Sequence, residues 1–511
     1  MSTDPRRPCI IGVGQATWRP DGSAEPLDAL GLAPEPVRMW ETVARRAAAD
    51  AGAPALVADL DGVRVVYCQS WPYDDPPGRL SELLGAHPTH TRYTGIGGTT
   101  PLVELAAALA AIAAGDAEAV LLVSGEALAT KRRLKKAGER PSWSHRHPDK
   151  QSMPFEAPFH DAEVAHEVFQ AWLTFALWDV ARRAHLGVAP RAYLGQLGQT
   201  MSALSQRAAG NPQAWFPAQI GASTLSRATA GNRMVGSPYT KHMVSVMDVD
   251  MAAAVIVTST ERAEALGVPA DRRVHLAGYA YGCDPTYVAE HAPTFASPAM
   301  AAVFGSVLDQ AGVAIGDVAH LDLYSCFASS VNFAADALDI SPTDPRGLTV
   351  TGGLPYFGGP GSGYLTHAIA SMVEVLRADR GALGLVSGVG MHMTKHVAGL
   401  LTTEPTSCPP VDLAVLQSSL RSTHPPRPIV HEHSGAATVV TYTVVHGRDG
   451  APQWALLVCD VDGSREGARC YAKVLEGGLL AELSAPDVEA VGRRVILTTI
   501  DGPMGRMNVA A

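Results

Sequence analysis

The apolar positions of this chain follow two rhythms. Short runs of Val, Ile, Leu and Ala bounded by Gly or polar residues have the length of strands, and longer stretches repeat their apolar positions every three to four residues, as helices do. The first run is CIIGVGQ (Cys9 to Gln15). A Pro- and Gly-rich excursion follows to about Pro36, then the helical VRMWETVARRAAADAG and the strand DGVRVVYC, ending at Cys68. Two later stretches share one layout. GIGGTTPLVELAAALAAIAAGDAEAVLLVSG runs from Gly95 to Gly125, and GGPGSGYLTHAIASMVEVLRADRGALGLVSG from Gly358 to Gly388. Each is a Gly-rich turn, an apolar helix, a polar break and a strand ending Val-Ser-Gly, and Gly98 stands to Ser124 as Gly361 stands to Ser387. A repeated turn–helix–strand unit predicts a duplicated α/β domain.

From about Ala127 to Tyr239 the rhythm changes. A polar loop at 137–160 precedes two amphipathic patterns, EVFQAWLTFALWDVARRAHLG and APRAYLGQLGQTMSALSQRAAG. They predict a helical insertion over the α/β core, a kind of segment that serves as a lid or substrate-binding cap. The α/β pattern returns at MDVDMAAAVIVTSTERAEALG and continues through RRVHLAGYAYG, SPAMAAVFGSVLDQAG, HLDLYSC and ASSVNFAADAL to the second repeat unit. Past Cys408 and Pro410 the chain turns to ATVVTYTVVH, QWALLVCDV, RCYAKVL and RRVILTTI, joined by turn-like loops. This predicts a small antiparallel, OB-like barrel or sheet.

Composition narrows the partners. With 511 residues, 47% apolar and 18% charged, the chain has the make-up of a globular protein of about two to four domains. A net charge of −10 argues against nucleic acid and anionic membrane. The basic run Lys131, Arg132, Arg133, Lys135 and Lys136 is either a solvated helix end or a docking patch for an anionic ligand. Seven scattered cysteines without a CxxC pair fit the reduced thiols of a cytoplasmic protein and neither a disulfide framework nor a zinc site. The N-terminus lacks the apolar core of a signal peptide, and no run of ~20 apolar residues spans a membrane.

Several motifs together resemble the thiolase superfamily in its SCP2-thiolase-like branch. They are NPQAWFP (Asn211 to Pro217), NRMVGSPYTKHMVSVMDVDMAAA (Asn232 to Ala254), LYSCF (Leu323 to Phe327) in place of a His-Asp-Cys-Phe motif, and the Gly-rich Gly352 to His367 in place of a Gly-His-Pro motif. The resemblance covers about residues 5 to 405. With the added β-domain the whole chain is similar to type 1 thiolase-like proteins, a group associated with acetyl-CoA acetyltransferases. The resemblance implies duplicated βαβαβ halves in α-β-α-β-α layers. It divides the chain into a first half at 1–126 and 240–260, a helical insertion at 127–239, a second half at 261–405 and a β-domain at 406–511. It also implies coenzyme A or an acyl-CoA as ligand, no further cofactor, and a monomer or homodimer.

The departures from that family fall on its chemistry. Its nucleophilic Cys-x-Ser-Gly reads Gly95-Ile96-Gly97-Gly98 here, its His-Pro reads Gly359-Pro360, its motif His or Asn is Tyr324, and its acid/base Cys falls on Val386 or Ser387. Claisen condensation through an acyl-cysteine needs a thiolate and a nearby acid or base. The remaining candidates are Cys326, a thiol at a strand-to-helix junction or else a buried small apolar residue, and three histidines, His367, His392 and His396, as general bases or structural side chains. Tyr364 lies one turn before His367 on the same helical face, and His392 and His396 share a face whether that segment is helix or strand. Gly95, Gly97, Gly98, Gly358, Gly359 and Gly361 offer free N–H groups to a thioester carbonyl. Asn232, Tyr239 and Lys241 are candidate rim residues, the His431–His433 cluster reads as structural, and no spacing suggests a metal site. Three activities stay open: an acyltransferase-like protein that binds acyl-CoA, a Cys-independent retro-aldol lyase using Tyr324, Tyr356 or Tyr364, and a non-catalytic CoA or lipid binder.

Overall fold

Each repeat unit delivers its helix to the centre of the molecule and its strand to a sheet. In the computed structural model, which describes residues 4–149 and 159–510, the helix Thr100–Ala114 leads to the strand Ala119–Ala127, and the helix Tyr364–Ala378 to the strand Leu383–Gly390. Every side chain from Tyr364 to Val373 is buried. A helix covered on all sides is mostly apolar, and Ala, Leu, Ile and Met supply that here, with Thr366, His367 and Ser371 as buried polar side chains. The polar loop expected at 137–160 runs partly outside the described residues.

The two sheets repeat one plan. Ala119–Ala127 has Gly62–Val65 as its parallel neighbour and Asp250–Ser259 as its antiparallel one, with Pro8–Thr17 beyond the latter and His90–Tyr93 at the far edge. Leu383–Gly390 likewise stands between parallel Val318–Asp322 and antiparallel Lys395–Thr402, with His275–Cys283 beyond. The two repeat helices lie between the sheets, the helix Pro36–Asp50 covers the first sheet and Pro298–Ala311 the second. The result is the five-layered α-β-α-β-α arrangement that the resemblance implies.

The insertion is helical: Asp161–Ala165, Ala171–His185, Pro190–Ala209 and Ala222–Leu225. The C-terminal strands close on themselves, Gly435–His446, Pro452–Val461, Arg469–Val474, Gly505–Ala510 and Arg494–Gly502 in ring order, as an OB-like barrel does. Three observations go beyond the sequence reading. The barrel has a fifth strand, Gly505–Ala510. A two-strand ribbon, Met234–Gly236 with Tyr239–Thr240, pairs onto the barrel strand Gly435–His446. A helix, Leu413–Thr423, packs on the second half against the strand His275–Cys283, its Gln417 Oε1 accepting from the Cys283 N–H at 2.8 Å. No helix among the described residues is long and apolar enough to cross a membrane.

Buried polar contacts dock the barrel on the insertion. The Tyr471 hydroxyl donates to Glu163 at 2.7 Å, the Asn508 N–H to His166 Nε2 at 2.8 Å, and Arg183 bonds Glu489 at 3.0 Å.

Candidate functional site

The Val-Ser-Gly ends of the two repeat strands bring the two Gly-rich turns together. Each meets the turn of the other half: Ser124 Oγ donates to the Gly363 carbonyl at 3.3 Å, and the Gly98 carbonyl lies 3.1 Å from where a Cβ on Gly388 would stand. The Gly97 N–H donates to Ser362 Oγ at 3.0 Å and ties turn to turn. Between them opens a cavity of about 650 Å³. It is lined by Gly95 to Gly98 with Gly359 and Gly361, its buried inner wall carries Tyr324, Cys326 and Phe327, and the half-buried Tyr67, Tyr279 and Tyr281 complete its lining.

The two glycines at the ends of the first turn differ. A Cβ on Gly95, where the resemblance puts the nucleophile, would meet no atom within 4 Å. A Cβ on Gly98 would stand 2.2 Å from the Val389 carbonyl oxygen and 2.5 Å from the Tyr324 hydroxyl, so only glycine fits. Tyr324 thus leans across the turn. Its ring meets that of Tyr364 edge-on, 5.5 Å between centroids at 90°, and Tyr364 is anchored through its hydroxyl to Asp322 at 2.9 Å.

Electrostatics set what each group can do. Burial, with the Cys326 thiol adding to it, holds the Tyr324 phenol well above its ordinary value. Tyr324 is therefore a neutral donor and not a base. Burial pushes the Cys326 thiol up to about 12, against the weaker opposing effect of its contact with Ser330. A neutral thiol is a poor nucleophile. Glu126 also lines the cavity. Its carboxylate accepts from the N–H groups of Gln69 at 2.7 Å and Ser70 at 2.8 Å, and burial raises it despite those bonds. Gly361 sits against it at φ +53, where a Cβ would lie 2.5 Å from Glu126 Oε1. Among the described residues no group of three or more His, Cys, Asp or Glu side chains is placed to hold a metal ion.

The sequence-derived candidates separate. Gly95, Gly97, Gly98, Gly359, Gly361, Tyr324 and Cys326 meet at the cavity. Gly358 lies behind it, against Met251 and Trp215. His367 sits between the halves, bonded to Gln15 at 2.9 Å, with its imidazole pushed down to about 3 by burial. His392 and His396 do not share a face. His392 lies in a hairpin turn whose neighbours Met391 and Met393 have φ of 55° and 65°, and His396 lies in the strand that follows. His392 contacts Thr174 at 2.8 Å, and His396 contacts Asp284 at 2.9 Å. None of the three histidines is among the residues that line the cavity.

The expected rim residues also lie elsewhere. Asn232 Nδ2 donates to three backbone carbonyls and its Oδ1 accepts from the His242 N–H, which makes it a loop clamp. Tyr239 is buried and bonds Asp179 and Ser329, Lys241 is exposed away from the cavity, and Tyr356 and Tyr364 are buried behind its walls. The basic run is largely used in the fold: Lys131 donates to the Gln69 carbonyl, Arg132 pairs with Asp248 and Arg133 donates to the Gly31 carbonyl.

Among the cavity groups that the sequence reading missed are Tyr67, Tyr279 and Tyr281, Phe175, which enters from the insertion helix, and Glu126, which follows Val-Ser-Gly directly. The one available signal was an asymmetry of the repeat, since a carboxylate stands at 126 where the second unit has Val389.

No protein-family model matches the sequence, and no curated protein matches it. Solved structures do. A monomeric SCP2-thiolase like protein type 1 from Mycobacterium smegmatis matches over 100% of both chains at 30% identity, with a TM-score of 0.84. An Ltp2-ChsH2(DUF35) aldolase matches over 78% of this chain and 98% of its own at 17% identity and a TM-score of 0.57. An acetyl-CoA acetyltransferase from Syntrophomonas wolfei matches over 78% and 99% at 16% identity and a TM-score of 0.54. The last two share the fold alone.

Proposed function

The chain belongs to the SCP2-thiolase-like proteins of type 1, and from that premise we propose that it binds an acyl-CoA thioester in the cavity between its Gly-rich turns and does not run the acyl-cysteine reaction of thiolases. The observation that carries this reading is the composition of the cavity wall. Two Gly-rich turns line one space, the N–H groups of Gly95, Gly98 and Gly361 bond no other group among the described residues whereas those of Gly97 and Gly359 are taken by Ser362 and Val246, Gly95 stands where the resemblance puts the nucleophile, and the one thiol of the inner wall is held neutral by burial. Such a site retains donors for a thioester carbonyl and lacks the thiolate and imidazole that acyl transfer requires.

Calorimetry with acetyl-CoA and a longer acyl-CoA tests the proposal together with a thiolysis assay. Binding without thiolysis is the expected result; the absence of binding to either thioester sinks it.

One observation favours a second reading, a Cys-independent retro-aldol cleavage of a β-hydroxyacyl-CoA. The Tyr324 hydroxyl opens on the cavity as a neutral donor, and no hydrogen bond among the described residues uses it. It is suited to polarise a thioester carbonyl while the bond between Cα and Cβ breaks, the β-hydroxyl proton passing to water in the open cavity and the enolate taking a proton at Cα. Release of an aldehyde or ketone by the wild type, and its loss in Tyr324→Phe, is the outcome this reading requires.

A further inference from the structure

Behind the cavity wall that carries Tyr324 and Cys326 lies a second, much smaller void of about 10 Å³. Its lining is apolar except for Ser330, Ser387 and His396. That volume is about the least that holds one water molecule, and a buried water is stable only where polar groups receive it.

Groups that would receive it stand around the void. His396 is 2% exposed. Its Nε2 lies 2.9 Å from Asp284 Oδ2 and 3.1 Å from Ser297 Oγ. With the ring proton on the nitrogen that faces the carboxylate, Nδ1 carries a lone pair, and that Nδ1 has no partner. Ser387 Oγ accepts from the Tyr324 N–H at 3.0 Å, and no bond among the described residues uses its proton. Ser330 Oγ lies 3.7 Å from Cys326 Sγ and donates to the Phe327 carbonyl at 2.8 Å. A buried acceptor without a donor is costly, and a neighbouring hydroxyl with an unused proton beside a water-sized space is how folded proteins resolve it.

We propose that one water molecule occupies this void, donating to His396 Nδ1 and accepting from Ser387, and that it completes a proton path from Cys326 through Ser330 to the His396–Asp284 pair. When Cys326 loses its proton, Ser330 Oγ takes it and turns its own from the Phe327 carbonyl to the water, and the water gives one of its protons to His396 Nδ1. The path then holds a thiolate and an imidazolium, with Asp284 still ionised against the Nε2–H, so charge and protons balance. His396 and Asp284, which do not touch the ligand cavity, thereby become positioning residues for the reactivity of Cys326. The inference rests on the cavity being open to small molecules at Cys326 and is independent of which ligand it holds.

Two measurements test it. The first is a high-resolution crystal structure, in which an ordered water within hydrogen-bond distance of both His396 Nδ1 and Ser387 Oγ is expected. The second is the rate of Cys326 alkylation by iodoacetamide, read by peptide mass spectrometry without coenzyme A, in the wild type, Ser330→Ala and His396→Gln. Both variants are expected to be alkylated at Cys326 more slowly by about tenfold or more, because the thiolate is the reacting form. Loosened packing would expose the thiol and speed the reaction, so slowing separates the relay from a merely structural role. If His396→Gln fails to fold, Ser330→Ala, a one-atom deletion within the helix Ala328–Ala337, decides alone. A dry void, or an unchanged rate in a folded variant, overturns the proposal. The alkylation result stands apart from thioester binding, so failure of the functional proposal and failure of this one are read separately.

Discussion

At the scale of single residues, two glycines in one turn make opposite demands. Gly98→Ala would press a methyl against the Val389 carbonyl and the Tyr324 hydroxyl. Neither can retreat from a packed wall, so a loss of about 1–3 kcal/mol in chemical denaturation is expected. Gly95→Cys meets no atom and has no left-handed backbone to strain. It should keep stability within about 0.5 kcal/mol of wild type and be alkylated by iodoacetamide, while thiolysis stays absent because no histidine lines the cavity. The sequence alone marks Gly95 as the position without its nucleophile. It could not tell which of the two glycines has room for a side chain, because what fills the space at Gly98 is a tyrosine 226 positions further on. The same limit applies to Asn232 and Tyr239. Their residue types suit a ligand rim, but their polar atoms are used by neighbouring carbonyls and by Asp179.

At the scale of elements, the insertion helix Ala171–His185 places Phe175 in the cavity and is held by Asp179 one turn later. The Asp179 carboxylate is buried and accepts from Tyr193 at 2.6 Å, from Tyr239 and from Asn332 at 3.1 Å, and burial raises its pKa against those bonds. Asp179→Ala would strand several buried donors. A loss of about 3 kcal/mol in denaturation and weaker acyl-CoA binding, as the helix and Phe175 shift, are expected. The helices of the insertion and most barrel strands were legible because amphipathic periodicity survives any tertiary context. The turn at 391–394 was not. Neither Met391 nor Met393 is a glycine, yet both take positive φ, so nothing in the sequence separated His392 from His396.

At the scale of the whole molecule, the barrel is joined to the rest through neutral imidazole. His166 Nδ1 lies 2.7 Å from the Ala162 carbonyl and its Nε2 accepts from the Asn508 N–H, so the ring must stay neutral in the fold. Burial, with the Lys473 charge adding to it, brings its pKa down to about 4. A depressed imidazole stabilises the fold above about pH 6.5 and loses that contribution as the pH falls toward 4, because the unfolded chain binds the proton first. Buried carboxyls such as Asp250, raised to about 6 by burial, titrate with the opposite sign, so the clean measurement is a difference. The stability gap between wild type and His166→Gln should narrow by about 2 kcal/mol between pH 7 and pH 5. A gap that stays constant over that range would mean that His166 is not held neutral.

The sequence by itself determined the duplication, the layered α/β class, the helical insertion, the β-rich C-terminus and the absence of a nucleophile at Gly95. These are properties of local period and residue type, which a chain carries along its length. The tertiary structure alone decided which groups share a cavity. Tyr324 and Cys326 came to it, the three histidines went to other partners, and Glu126 and Phe175 arrived without a motif to announce them. Convergence of that kind is set by where strands end and helices cross, over separations that no local pattern records. The repeat shows both sides of this: its two copies are plain in the sequence, and the cavity exists because each Val-Ser-Gly end reaches across to the turn of the other.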